Sequence, residues 1–275
     1  MAPLLSIVIP VHNESENVFA LAEETASVLK GVESNFEIVF VDDASSDDTW
    51  EQVQIAQKKL KKVRGFRLEQ QKGQSGALWT GIQGTESTYI ATMDGDRQND
   101  PNDIPKMLEI VKKDADFVCG WRKDRQDTWE RKMASWVARR ARNLILKADF
   151  HDTGCAMRVF KRECIKDIWC FDGLHRFLPI LVHAEGYRTI EIPVGHRERT
   201  HGLSKYGILD RLRKGIPDLF AMSWIRKRIY RPSPFTELKP LAAPKRKATA
   251  TKKAEAKTKA PAKKTAVRKK SAKKS

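Results

Sequence analysis

The run Met93-Asp94-Gly95-Asp96-Arg97-Gln98 sets two carboxylates two residues apart, with an amide two further on. Oxygen donors so spaced suit a hard divalent cation, Mg²⁺ or Mn²⁺, and a cation held there commonly also grips a diphosphate. The preceding stretch, Thr88 to Met93, is short and apolar at Tyr89, Ile90 and Met93, as a buried strand would be. Asn99-Asp100-Pro101 is turn chemistry leading into a helix. Asp94, Asp96 and Gln98 are therefore expected at the carboxyl end of a strand, where open parallel α/β sheets bind ligands. A polar strand end that caps the next helix is the alternative.

The elements that must position these residues alternate. Leu4 to Ile9 is a strand stopping at Pro10, followed by a helix with Val18, Leu21, Ala22, Thr25 and Leu29 at helical spacing. Phe36 to Val41 is a second strand ending at Asp42-Asp43-Ala44-Ser45-Ser46-Asp47, where Ser46 or Asp47 can cap a helix running to about Leu60. Val63 to Leu68 is a third strand. Lys72-Gly73-Gln74-Ser75-Gly76 is a glycine loop opening a helix through Gly84. A helix from about Asn102 to Lys112 and a strand from Asp116 to Gly120 follow. Strands alternating with helices predict an α/β fold with a mostly parallel sheet. The strands lack polar alternation, as a sheet covered on both faces requires.

The second half is less regular. Trp129 to Lys147 reads as an arginine-rich helix, Gly154 to Phe160 as a strand and Leu174 to Glu185 as a helix. Tyr187 to Val194 is a strand whose Pro193 predicts an edge or end position. His196 to Lys205 is a basic loop. A helix over 210–228 carries Leu212, Ile216, Leu219 and Phe220 on one side, with Pro217 expected to kink it or start a new turn. Beyond Phe235 the chain is Lys, Ala, Pro and Thr without an aromatic residue, which predicts a folded domain over 1–235 and a disordered basic tail over 236–275.

Charge follows that division. Of the net +17, residues 240–275 contribute +13, from twelve lysines and two arginines against one glutamate. The folded part is nearly balanced. The four cysteines show no metal-ligand spacing and point to a reducing compartment. Met1 to Pro10 lacks the basic segment of a signal peptide, and no stretch approaches the roughly 20 apolar residues of a membrane span. A soluble or peripheral protein is expected.

Three segments in order, Ile7-Val8-Ile9-Pro10-Val11-His12-Asn13-Glu14, Val41-Asp42-Asp43-Ala44-Ser45-Ser46-Asp47-Asp48-Thr49 and Met93 through Pro101, resemble the family 2 inverting glycosyltransferases of the GT-A fold. Within that family the order and spacing are similar to those of the polyprenyl- or dolichol-phosphate mannosyl- and glucosyltransferases. Gly120-Trp121-Arg122, Asp152-Thr153-Gly154-Cys155-Ala156-Met157-Arg158 and Arg199 through Gly202-Leu203-Ser204-Lys205-Tyr206 extend the likeness, which covers about residues 4 to 207. It implies a Rossmann-like sheet flanked by helices. It implies that Pro10, Val11, Asn13, Glu14, Asp42, Asp43, Lys72, Gly73, Asp94, Gly95 and Asp96 bind the nucleotide sugar. A turn requirement at Gly73 and a helix cap at Asp42-Asp43 are the structural alternatives. Asp94, Asp96 and Gln98 would hold Mg²⁺ or Mn²⁺. Arg97 beside that site departs from the family's small or apolar residue, and strand alternation would turn it away from Asp96 and Gln98.

The same resemblance assigns acceptor phosphate to Arg122, Arg131 and Ser135, and the loop over the diphosphate leaving group to Arg199, Ser204 and Lys205. Asp152 takes the position of a catalytic base in relatives with hydroxyl acceptors. A lipid phosphate is already an anion, so positioning and charge neutralisation would matter more than a base. Arginine's planar fork suits that task. The expected donors are GDP-mannose or UDP-glucose, and the expected acceptor is a polyprenyl phosphate. A family 2 enzyme acting on a hydroxyl acceptor, with Asp152 as base, is the alternative. A protein whose tail binds nucleic acid without sequence preference is another. Arg139, Arg140 and Arg142 read as a solvated helix face or as headgroup contacts. The 210–228 helix and the tail would hold the protein to an anionic membrane surface, at the cytoplasmic face.

Overall fold

The computed structural model describes residues 2–122, 133, 139–140, 142–146, 149–198 and 208–228. The chain divides into Met1–Tyr230 and Arg231–Ser275, and only the first unit contains described residues. The disordered-tail expectation therefore lies outside them.

Seven strands form one sheet among the described residues: β1 (Leu5–Val11), β2 (Phe36–Asp42), β3 (Val63–Arg67), β4 (Tyr89–Thr92), β5 (Phe117–Arg122), β6 (Arg158–Lys161) and β7 (Thr189–Val194), in the order β3-β2-β1-β4-β6-β5-β7. Helices α1 (Ser15–Lys30), α2 (Thr49–Lys59), α3 (Gly73–Gln83) and α4 (Asp103–Lys113) fall between the first five strands. Helices α5 (Leu174–Ala184) and α6 (Ile208–Arg226) lie before and after β7. Strand β1 pairs parallel with β2 and β4, β2 with β3, and β5 with β7. Strand β6 runs antiparallel between β4 and β5. It begins at Arg158, later than expected, because residues 152–157 form a turn and a loop instead of extending the strand. Strand β7 is an edge, as Pro193 predicted.

Both sheet faces are covered, which explains the unbroken apolar strands. Leu5, Ile7, Ile9, Ile38 and Phe40 pack under α1, α2 and α4. Val8, Val39 and Val41 point the other way and pack with Ala77, Leu78 and Ile82 of α3 and Leu174, Phe177 and Leu178 of α5. Helix α6 runs through Pro217 and divides its apolar residues between two faces. Met222 is buried, with Leu219 and Ile225 packed on the core, whereas Ile216, Phe220 and Trp224 are 53%, 61% and 60% exposed. The single apolar side expected there is thus two.

Candidate active site

Parallel register gathers the site. Val11 lies beside Asp42, and Val8 beside Thr92, so the carboxyl ends of β1, β2 and β4 bring Pro10, Val11, Asp42, Asp43 and Asp94 to one edge. An antiparallel strand starts where its neighbours end. Strand β6 therefore delivers Arg158 to the same edge, in register with Thr92 and Cys119. All three described non-glycine residues with left-handed backbone lie in this edge's loops: Asn13 at φ 55°, Ala44 at 53° and Arg97 at 60°. Such conformations cost roughly 1–3 kcal/mol each and cluster at functional sites.

The carboxylates have different tasks. Asp42 is fully buried. Its Oδ1 accepts the Ser45 N–H at 3.0 Å, and Arg67 Nε stands 3.3 Å from Oδ2. Its side chain holds the turn that the structural alternative called for. Asp43 accepts the N–H groups of Lys72 at 2.6 Å and Gly73 at 2.8 Å, so it shapes the glycine loop. Gly73 adopts φ 72°, which meets the turn requirement. Asn13 ties the first loop to the second: its Oδ1 accepts the Ser46 N–H at 2.9 Å, and its own N–H donates to Ser45 Oγ at 3.0 Å. The Glu14 N–H donates to Thr49 Oγ1 at 2.8 Å, and its carboxylate accepts from the Asn17 amide at 2.7 Å.

Asp94 Oδ1 accepts from Gln74 Nε2 at 2.7 Å. Asp96 is 7% exposed, and its Oδ1 accepts the Gln98 N–H at 3.1 Å. Gln98 Nε2 donates to the Arg197 carbonyl at 3.4 Å. That bond turns the amide oxygen, the end able to ligate, away from Arg197. Two carboxylates and such an amide fit a hard divalent cation. Among the described residues no three His, Cys, Asp or Glu side chains form a metal cluster. Arg97 is directed to α1, where its Nη2 lies 3.8 Å from Glu24 Oε2. Arg97 sits in a left-handed turn and not in a continuing strand, so strand alternation does not set its direction. Gly95 is required by close approach, because a Cβ there would stand 2.6 Å from Val11 Cγ1 and 3.1 Å from the Pro10 carbonyl.

Arg122 closes β5 and meets Asp152 in a two-pronged ion pair, Nε–Oδ2 2.7 Å and Nη2–Oδ1 3.0 Å. Burial opposes the guanidinium's charge, but the bonds and charge of Asp152 outweigh it and hold Arg122 above its ordinary pKa. Glu191 of β7 supports this loop, accepting the N–H groups of His151 at 2.9 Å and Asp152 at 3.2 Å. Trp121 stacks on His151 with centroids 5.4 Å apart. Arg142 is half-buried, donating to Thr153 Oγ1 at 3.1 Å and the Phe150 carbonyl at 2.8 Å. It braces the loop and is not the solvated arginine expected. Arg139 pairs with Asp149 at 2.8 Å. Cys119, Cys155 and Cys164 are buried, as small core residues are, and burial pushes the Cys155 thiol up to about 11.

A cleft at this edge is lined by Pro10, Gln74, Asp94, Gly154, Arg158 and His175, among others. Sequence reasoning missed Gln74, Arg158, His175 and Glu191. Gln74 and Ser75 sat within a segment already read as a glycine loop, which was the available signal. Arg131, Ser135, Arg199, Ser204 and Lys205 lie outside the described residues.

Comparison with known proteins bears on this edge. The family described as Glycosyl transferase family 2 matches residues 6–169. A dodecaprenyl-phosphate galacturonate synthase of Rhizobium johnstonii is 35% identical over 237 residues, covering 84% of this chain and 70% of that protein. An undecaprenyl-phosphate 4-deoxy-4-formamido-L-arabinose transferase of Aeromonas hydrophila is 34% identical over 207 residues, covering 75% of this chain and 64% of its own length. Among solved structures, a mannosyltransferase from Pyrobaculum calidifontis in complex with GDP-Man and Mn²⁺ superposes with TM-score 0.60 at 17% identity, over 84% of this chain and 66% of that one. Glucosyl-3-phosphoglycerate synthase from Mycobacterium tuberculosis, in complex with Mn²⁺, UDP and phosphoglyceric acid, gives TM-score 0.62 at 16% identity, over 83% and 80%. These structural likenesses bear on fold.

Proposed function

This chain belongs to glycosyl transferase family 2, and we propose that it moves a hexose from a nucleotide sugar to a polyprenyl phosphate, with inversion and with a divalent cation. The observation that carries the acceptor is the Arg122–Asp152 pair. A hydroxyl acceptor needs a base, and a carboxylate gripped at both oxygens by a guanidinium is a weak one. A phosphate acceptor brings its own negative oxygen. Arg122 can exchange Asp152 for that phosphate, with Arg131 and Ser135 completing the site. The lipid phosphate oxygen attacks the anomeric carbon as the bond to the diphosphate breaks, and the nucleoside diphosphate leaves with the bonding electrons. Asp94, Asp96 and Gln98 would hold the cation, which when bound neutralises charge building on the departing diphosphate. Arg199, Ser204 and Lys205 would close over that group. Pro10, Val11, Glu14 and the loop shaped by Asp43 would receive the nucleotide. Mn²⁺ in both solved neighbours and the polyprenyl-phosphate substrates in both relatives' names support this reading.

Among the described residues no helix is long and apolar enough to cross a membrane. The outward stripe of Ile216, Phe220 and Trp224, with Lys227 and Arg228 exposed at its end, supports peripheral binding to an anionic leaflet at the cytoplasmic face. The basic tail would add about 1 kcal/mol per residue that reaches the surface. Sedimentation with anionic vesicles checks this: the full chain pellets, and F220S/W224S pellets less. A chain that stays in the supernatant at low salt while shifting DNA would assign the tail to nucleic acid.

The transfer itself is tested by incubating the full chain with Mn²⁺, polyprenyl phosphate and labelled GDP-mannose, UDP-glucose, UDP-galacturonate or UDP-4-formamido-arabinose. Label entering the organic phase from one of the first three donors is expected, and entry from the arabinose donor alone would replace the hexose with a pentose. Label confined to a water-soluble glycan would favour the hydroxyl acceptor instead.

A further inference from the structure

His175 is held at three points. Its N–H donates to Ser75 Oγ at 3.3 Å, and its carbonyl accepts from Arg158 Nη2 at 2.6 Å. Its ring Nδ1 lies 2.7 Å from the same Ser75 Oγ. Ser75 Oγ also accepts the Gly173 N–H at 3.1 Å. A hydroxyl has two lone pairs and one proton. Two backbone donors occupy the lone pairs, so the proton goes to Nδ1. The ring is thereby fixed with Nδ1 as acceptor and its own hydrogen on Nε2. Burial first, then the Arg176 and Arg158 cations, lower its pKa to about 3, so the ring is neutral at physiological pH.

His175 lines the cleft with Gln74 and Asp94, and its Nε2 has no hydrogen-bond partner among the described residues. A neutral ring of fixed tautomer cannot serve as a general acid. It offers one N–H of fixed position on the ring, in a residue that lines the same cleft as Asp94 and Gln74. A sugar hydroxyl bound in that cleft can accept from Nε2–H.

We propose that His175, oriented by Ser75, donates a hydrogen bond from Nε2 to a hydroxyl of the donor sugar and so helps select the sugar. The proposal rests on the donor-binding reading of this edge. A purely structural role, tying α3 to the start of α5, makes the opposite forecast for two substitutions. Asn places an acceptor near the position of Nδ1 and keeps the tie to Ser75. Gln places an amide N–H near the position of Nε2 and keeps the sugar contact.

Calorimetry in Mn²⁺ with GDP-mannose, UDP-glucose and UDP-galacturonate, and with GDP and UDP alone, separates them. For the nucleotide sugar that the wild type binds, H175N should weaken affinity roughly 5- to 20-fold. H175Q should stay within about threefold, and the nucleoside diphosphate alone should bind all three proteins alike. H175N equal to wild type, or diphosphate affinity falling in parallel with sugar-nucleotide affinity, overturns the proposal and leaves donor binding intact. A wild type that binds none of the nucleotide sugars overturns the donor reading itself, and the proposal with it.

Discussion

Asp43, Asp94 and Asp96 at the β1–β2–β4 side of the sheet and Asp152 at the β5–β6–β7 side are held by different donors. On the first side, Asp43 and Asp96 take backbone N–H groups, and Asp94 takes a neutral amide. Such donors hold a carboxylate in place without cancelling its charge. On the second side, Asp152 meets a full cation at both oxygens. On the proposed reading, the first group would receive a divalent cation, and Asp152 would give way to an acceptor anion. In the proposed function, that difference would separate a cation-and-diphosphate site from an acceptor-phosphate site within one sheet edge.

Three substitutions and one titration can break that comparison. Asp96→Ala should have the largest effect, lowering turnover roughly 10³-fold or more with the fold intact, since several kcal/mol of charge stabilisation is lost. Near-wild-type turnover with unchanged dependence on added Mn²⁺ would remove Asp96 from the cation site. Arg122→Ala should raise KM for polyprenyl phosphate by roughly 10- to 100-fold, the worth of hydrogen bonds to a charged group. Nucleotide-sugar affinity should stay within about twofold. If donor affinity falls and the acceptor KM does not, the two sides are not divided as described.

Gly95→Ala should cost about 1–3 kcal/mol by denaturant unfolding, because its Cβ meets Val11 Cγ1 and the Pro10 carbonyl. Val11→Ala in the same chain should return part of it. An unchanged midpoint would mean that β1 and the Asp94 loop do not meet so closely.

The smallest effect is on acid stability. His175 is lowered from 6.5 to about 3, so between those values the unfolded chain binds a proton that the native chain refuses. Stability should fall as pH drops through that window, by up to about 1.4 kcal/mol per pH unit from this group. Asp47, Asp100 and Asp116 have lowered pKa values too, and their losses come below the ordinary carboxylate range. Comparing wild type with H175N between pH 6.5 and 5 therefore isolates the histidine. Equal slopes would contradict its buried, neutral state.

Legibility in the sequence divides along the same line. The first side was readable because a parallel strand writes its functional residues directly after its apolar run, as in Val41-Asp42-Asp43 and Met93-Asp94. Residue types there did not reveal which acid serves a turn. Asp42 and Asp43 are adjacent, look alike and are both buried, and only their partners separate them: Asp42 takes the Ser45 N–H of its own turn, and Asp43 those of Lys72 and Gly73 in the glycine loop. The second side was readable only through resemblance. Strand β6 is short and reversed, and the pairs that matter join distant segments, Arg122 with Asp152 and Ser75 with His175. Periodicity carries no signal for such pairings. Helix α6 was visible as amphipathic, but its division into a core-facing and an outward stripe depends on where it docks.

The central claim is that the acceptor supplies its own negative charge. The most direct measurement gives the wild-type chain its labelled donor with either a polyprenyl phosphate or the matching polyprenol, and follows label into the organic phase. The account predicts transfer to the phosphate alone, in a product that mild acid hydrolyses at the glycosyl phosphate. Transfer to the polyprenol at a comparable rate would contradict it and return Asp152 to the role of base.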